Sequence, residues 1–176
     1  MPPPSEATRP ITDRVKQSLF DILAPYLEGA RVYDVFAGTG SMGLECLSRG
    51  AEHATFFEAD RGALGNLRKN IAALKVEDRA AVVAGDLFKW FEGRSKISDL
   101  KSQIEIVFLD PPYRYLREQA DALRRLAVDM TKHLVPDGIV VFRHDAADSL
   151  DLPPFRVADK REYGSMGIEF LRMGAE

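Results

Sequence analysis

Cysteine is nearly absent from this 176-residue chain: Cys46 is the only one, so no intrachain disulfide can form. A reducing compartment is therefore the expected setting, and the cytoplasm fits best. No apolar run approaches the roughly 20 residues that span a bilayer. The opening Met1-Pro2-Pro3-Pro4-Ser5 also lacks the charged-then-apolar form of a signal peptide, so no membrane partner is expected. A surplus of positive charge is missing too. With 24 Lys and Arg against 27 Asp and Glu, the net charge of −3 does not mark a nucleic-acid binder, although a local basic face remains compatible with it. Histidine is scarce, and His53, His133 and His144 share no ligand spacing, so no metal site is expected. What remains is ordinary globular composition, 45% hydrophobic, at a length that suits one domain with a sizeable core.

Residues 1–8 read as a flexible tail ahead of one domain covering 9–176. From Thr12 the pattern turns helical: Val15, Leu19, Ile22, Leu23 and Tyr26 share a face, and Thr12 or Asp13 can cap it. Short apolar runs at 31–36, 54–58, 80–84, 104–109 and 138–143 then alternate with helical stretches at 40–49, 61–74, 87–91 and 115–133. The last two runs, 155–162 and 167–172, have no helix between them and read as an antiparallel pair. Alternation of this kind predicts an α/β fold with right-handed crossovers: a single-domain Rossmann-like, mostly parallel seven-stranded sheet with helices on both faces. Ligands of such sheets bind beyond the carboxyl ends of the strands. That rule gathers residues 36–43, Glu58, Gly85-Asp86 and residues 110–113 along one rim.

Residues 34–43 hold a literal G-x-G-x-x-G at Gly38, Gly40 and Gly43, after a strand and before a helix. Glu58 closes the next strand about twenty residues on, where a ribose-binding acid is expected. The glycines, with Ala37 and Thr39 between and beside them, permit a tight turn and close backbone approach to a ligand. A dinucleotide would satisfy that pattern. Asp34, just ahead of the turn, argues against one, because its carboxylate would repel a pyrophosphate. S-adenosylmethionine presents an ammonium and a sulfonium, which the same carboxylate attracts. Asp86, after the third strand, can accept from an adenine amino group, or it can simply cap the helix that starts at Leu87.

The most chemically specific stretch is Asp110-Pro111-Pro112-Tyr113, which follows the fourth apolar run. Asp110 and the carbonyl of Pro111 offer neighbouring acceptors, the prolines stiffen the loop, and Tyr113 offers a ring for stacking. This suits a planar base with an exocyclic amine. Two acceptors orient the amine hydrogens, aim its lone pair, and stabilise the positive charge that grows as a methyl group arrives.

Asp34-x-x-Ala37-Gly38-Thr39-Gly40 together with Asp110-Pro111-Pro112-Tyr113 resembles the class I, Rossmann-like amino-methyltransferases. The residues 9–16, Arg9-Pro10-Ile11-Thr12-Asp13-Arg14-Val15-Lys16, with 37–51 and Tyr163-Gly164, are similar more narrowly to the RsmD family of bacterial 16S rRNA guanine-N2 methyltransferases. The resemblance implies cofactor contacts at Asp34, Ala37, Gly38, Thr39, Gly40, Glu58 and Asp86, and a catalytic clamp at 110–113. It also implies substrate contacts from Arg9, Thr12, Arg14, Tyr113 and Arg114. The expected substrate is 16S rRNA or an assembling small ribosomal subunit, met by a monomer. Two departures stand out: Met166 occupies a place where the family has a small polar residue, and only eight residues precede Arg9. A DNA adenine-N6 methyltransferase would use the same clamp, and a non-catalytic nucleotide-binding assembly protein could keep the same fold. Cys46, Trp90 and Phe91 read as packing residues.

Overall fold

The computed structural model describes residues 11–94 and 103–175. Seven strands form one sheet in the order β3-β2-β1-β4-β5-β7-β6, comprising β1 (Arg31–Val35), β2 (His53–Glu58), β3 (Ala80–Ala84), β4 (Ile104–Leu109), β5 (Leu134–Asp145), β6 (Phe155–Tyr163) and β7 (Met166–Met173). The first five run parallel; β7 pairs antiparallel with both β5 and β6. The expected fold is the one observed.

Helices α1 (Asp13–Leu27), α2 (Ser41–Ser48) and α3 (Arg61–Ala73) contribute to one core, where Phe20, Leu23, Leu47, Leu67 and Phe56 are sealed from water. The other face carries α4 (Leu87–Arg94), α5 (Tyr115–Glu118) and α6 (Ala120–Met130), with Phe91, Leu123, Leu126 and Phe142. Apolar residues on both sides of the central strands explain why those strands read as continuous apolar runs in place of alternating ones. Cys46 is fully buried; Trp90 packs edge-on against Tyr33 and Phe57, and Phe91 edge-on against Tyr33 and tilted against Phe57, as the packing reading expects.

Most boundaries lie within three residues of expectation, and two elements differ more. The helix expected over 115–133 breaks at Gln119, whose φ of −128° leaves the helical region while its N–H still donates to Tyr115 O. Buried Leu116, Leu123 and Leu126 keep one apolar face running across the break, so periodicity could not reveal it. Strand β5 starts at Leu134, four residues early, because Leu134 already pairs with Ile104 ahead of a register shift between Ile104 and Ile106.

One buried polar pair gives this sheet a pH signature. His144 Nδ1 lies 2.7 Å from the Asp145 carbonyl, which can only accept, so Nδ1 carries a hydrogen. Its Nε2 faces Glu169 Oε1 at 3.6 Å, and Lys160 Nζ stands 3.9 Å from the same oxygen. Burial alone would push the imidazole down, but the Glu169 carboxylate and the Asp145 carbonyl outweigh it and hold the pKa above 6.5. The folded state therefore keeps this proton to higher pH than the unfolded chain. Its stabilisation is complete below about 6.5 and is lost as pH rises through the folded value, with a slope of at most about 1.4 kcal/mol per pH unit. Urea midpoints measured from pH 6 upward should show this decline in the wild type, together with one from the raised Asp34 carboxyl, and Glu169→Gln should remove the His144 share and leave a shallower slope.

Candidate functional site

The strand order reverses between β1 and β4, where the chain moves out from β1 to opposite sides of the sheet. Crevices form at such points beyond the carboxyl ends of the strands. Here the crevice is a cavity of about 490 Å³ lined by Asp34, Gly38, Glu58, Asp110 and Arg143 among others. A second lobe of about 600 Å³ lies alongside, lined by Asp60, Gly85, Asp86, Leu87, Phe88 and Tyr115. Phe36, Glu58 and Pro112 line both lobes and form the seam between them.

Asp34 is 2% exposed at the end of β1, and its Oδ2 accepts from the Gly43 N–H at 2.9 Å. Burial raises its carboxyl from 3.8 to about 8, opposed by the Gly43 hydrogen bond and reinforced by Asp110 and Glu58. A cation bound beside it would have to displace the proton it keeps near neutral pH, and would then face a carboxylate little screened by water. Gly43 has to be glycine: a Cβ there would stand 2.4 Å from Phe56 Cε1. Gly38 has φ +59° with nothing within 4 Å of where a Cβ would be, so its freedom serves the turn and not the packing.

Glu58 braces the loop. Its Oε2 accepts from Gly38 N–H at 2.7 Å, and Oε1 accepts from the N–H groups of Ala59 and Asp60 at 3.1 and 3.0 Å. One carboxylate thus ties the glycine turn to the next strand end, at the seam of the lobes. Asp86 realises its capping reading: Oδ1 accepts from Phe88 and Lys89 N–H at 3.0 and 3.3 Å, while the residue also lines the second lobe. Ala37 and Thr39 line the first lobe, and Gly40 is buried in the turn behind them.

Asp110 follows the last residue of β4. Leu109 pairs with Phe142, so the next step along both strands brings Asp110 beside Arg143. Arg143 Nε donates to Asp110 Oδ1 at 2.9 Å, and Nη2 donates to Oδ2, a two-point contact between side chains only 12% and 18% exposed. Burial raises the Asp110 carboxyl, and the Arg143 guanidinium pulls it back toward ionisation. Pro111 is buried and Pro112 faces the cavity. Tyr113, expected as a stacking face, is 9% exposed and is not among the lining residues; Tyr115 lines the second lobe instead.

Of the segment expected to cover the site, Arg9 lies outside the described residues. Ile11 lines the cavity, and Thr12 caps α1 through a 3.3 Å bond from Val15 N–H to its hydroxyl. Arg14 is exposed beside it. Lys16 anchors this end of α1 to α2, donating to Ser41 Oγ at 3.0 Å and pairing with Glu45 at 3.3 Å. Arg114 is half exposed, 4.0 Å from Glu118 and stacked over Tyr115.

Sequence reasoning gave no site role to Ile11 or Arg143, and it placed Phe36 on the rim without anticipating its backbone state. Phe36 adopts φ +62°, a conformation a bulky residue rarely takes, and its ring meets Phe88 and Tyr115 edge-on. No pattern announces that backbone state. Arg143 had a usable signal, because it ends the expected fifth run on the same rim as Asp110. Among the described residues, no cluster of His, Cys, Asp or Glu could hold a metal ion, and no helix is long and apolar enough to cross a membrane.

The family described as Conserved hypothetical protein 95 matches residues 1–172. YlbH of Bacillus subtilis (strain 168) is 35% identical over 171 residues, 94% of this chain and 88% of that protein. Ribosomal RNA small subunit methyltransferase D of Haemophilus influenzae is 40% identical over 125 residues, 68% of this chain and 61% of that protein. The solved structure of Escherichia coli yhhF superposes with a TM-score of 0.77 at 29% identity, covering 97% of this chain and 90% of that one. Sequence match and superposition each run through the glycine turn, both lobes and the β6–β7 hairpin, and the chain accordingly belongs to this family, that of the RsmD methyltransferases.

Proposed function

We propose that this protein transfers a methyl group from S-adenosylmethionine to the exocyclic N2 amine of a guanine in small-subunit (16S) rRNA. The observation that carries the reading is the presence of two carboxyl groups in one cavity: buried Asp34 under the glycine turn and partly buried Asp110 just past the end of the neighbouring strand. The donor set fits the cofactor. Asp34 supplies a buried carboxyl that a cationic group would draw into its charged form, Glu58 stands at the seam where a ribose would lie, and the second lobe offers Asp86, Leu87 and Phe88 to an adenine. Ala37, Gly38, Thr39 and Gly40 bring backbone close to it. The cofactor, when bound, supplies an electrophilic methyl on a sulfonium.

The chain's own residues then hold the acceptor. Asp110 and the Pro111 carbonyl accept the two amine hydrogens and direct the nitrogen lone pair. The Asp110 carboxylate offsets the charge that develops on nitrogen, which is worth several orders of magnitude when the donors and acceptors are already in place. A strong general base is unnecessary, since a methylated aryl ammonium is acidic and loses its proton readily. Arg9, Thr12, Arg14 and Arg114 would meet RNA phosphates or the base, and Tyr113 would support the clamp. The weak overall charge favours an assembling subunit over naked rRNA, because ribosomal proteins could then complete the binding surface. The protein would act as a monomer in the cytoplasm, with residues 9–176 as its catalytic domain.

The test is incubation with methyl-labelled S-adenosylmethionine and either naked 16S rRNA, partly assembled particles or DNA, followed by mapping of the labelled nucleotide. N2-methylguanine in rRNA, stronger in particles, is expected. Label in DNA adenine would overturn the substrate, and equal transfer to naked rRNA would overturn the preference for particles.

A further inference from the structure

We propose that Arg143 is a positioning residue for methyl transfer: its guanidinium grips both oxygens of Asp110, balancing that carboxylate's charge and fixing it in one orientation toward the amine. The inference rests on the reading of Asp110 as the amine acceptor and adds to it a residue from a different strand.

The geometry follows from register. Parallel pairing of Leu109 with Phe142 places Asp110, just past the end of β4, beside Arg143 within β5, and both line the cavity. Nε and Nη2 of the guanidinium each donate to a separate carboxylate oxygen. A planar fork matched to a planar carboxylate fixes the orientation of both groups, which a lysine ammonium cannot do. Each carboxylate oxygen has two lone-pair positions. Arg143 occupies one on each oxygen and leaves a second on each for the substrate, so gripping and accepting are compatible.

The cavity needs such a cation. Asp34 from β1, Glu58 from β2 and Asp110 all line it, and among the described lining residues Arg143 is the one positive side chain. Asp110 and Glu58 each raise the cost of ionising Asp34, and the Gly43 N–H of α2 serves Asp34. On the α5 side, Arg114 is exposed and directed at Glu118. Without Arg143, burial would push the Asp110 carboxyl further up and favour its protonated form. A protonated carboxyl presents an O–H, a donor, to an amine that needs acceptors.

The test is the dependence of kcat on pH, at saturating donor and RNA, for the wild type, Arg143→Gln, Arg143→Lys and Asp110→Ala. Arg143→Gln should lower kcat at pH 7 by roughly 10- to 100-fold and move the acidic limb up by about one pH unit, leaving donor KM nearly unchanged. Arg143→Lys should restore the position of the acidic limb but not the full rate, because it supplies charge without the fork. An acidic limb unmoved in Arg143→Gln, with Asp110→Ala inactive, overturns the inference and leaves the Asp110 reading standing. Should Arg143→Gln fail to fold, Arg143→Lys decides: full wild-type rate in that variant overturns the role of the fork. Transfer retained by Asp110→Ala would overturn the underlying reading itself.

Discussion

Replacing Asp110 by alanine should reduce methyl transfer by about 10³-fold while leaving the affinity for S-adenosylmethionine nearly unchanged. Orientation of the amine and stabilisation of the charge on nitrogen both depend on this carboxylate, and each is worth about 10²-fold or more in a site shielded from water. Cofactor contacts lie elsewhere, at Asp34 and Glu58 and in the second lobe. Alanine also strands the Arg143 guanidinium in a largely buried setting, so some loss of stability accompanies the variant. Asp110→Asn, which keeps the shape and one acceptor oxygen, separates the two effects: it should fold normally and still lose most of the rate. Single-turnover assays with labelled donor, beside calorimetric titration of the donor, would report both quantities. Near-normal turnover in either variant is incompatible with the clamp.

Replacing Asp34 by asparagine should weaken the donor roughly 30- to 100-fold, the ~2–3 kcal/mol of a charge-assisted contact in a buried site. RNA affinity should change far less. Asparagine retains an acceptor for the Gly43 N–H, so the glycine turn should survive. Asp34 also predicts a pH dependence. With its carboxyl pushed up to about 8 by burial, the empty site holds a proton at pH 7 that a cationic ligand must displace. Donor affinity should therefore rise as pH approaches 8, by up to about tenfold per unit, and level off above it. Titrations at pH 7 in buffers of different ionisation heat should detect release of up to about one proton per donor bound. Asp34→Asn should abolish both the release and the slope. A wild-type affinity that is flat from pH 6 to 9 would remove the case for Asp34 as the cation's partner.

Some of this was legible in residue order. Runs such as Ile104-Glu105-Ile106-Val107-Phe108-Leu109 are apolar because β4 is covered on both faces, and that made the parallel sheet readable. The glycine turn was legible because Gly38 and Gly40 adopt positive φ and Gly43 has no room for a Cβ, constraints that only glycine meets cheaply. The break at Gln119 was not, since the apolar face continues across it. Nor was the inward packing of Tyr113, because its neighbour Tyr115 satisfies the same aromatic pattern and is the one at the cavity wall.

Residue order by itself determined the class of fold, the rim on which the chemistry sits, and the identity of both carboxylates, since each depends on local periodicity and on turn chemistry that a short segment carries alone. Tertiary structure decided what those carboxylates are. Burial at the switch point, and not any neighbour in the chain, holds the charge of Asp34 in reserve. Pairing of β4 with β5 across 33 residues delivers Arg143 to Asp110. A side chain's type is written in the sequence, but its charge state and partner depend on solvent exclusion and strand register, which exist only once the sheet has formed.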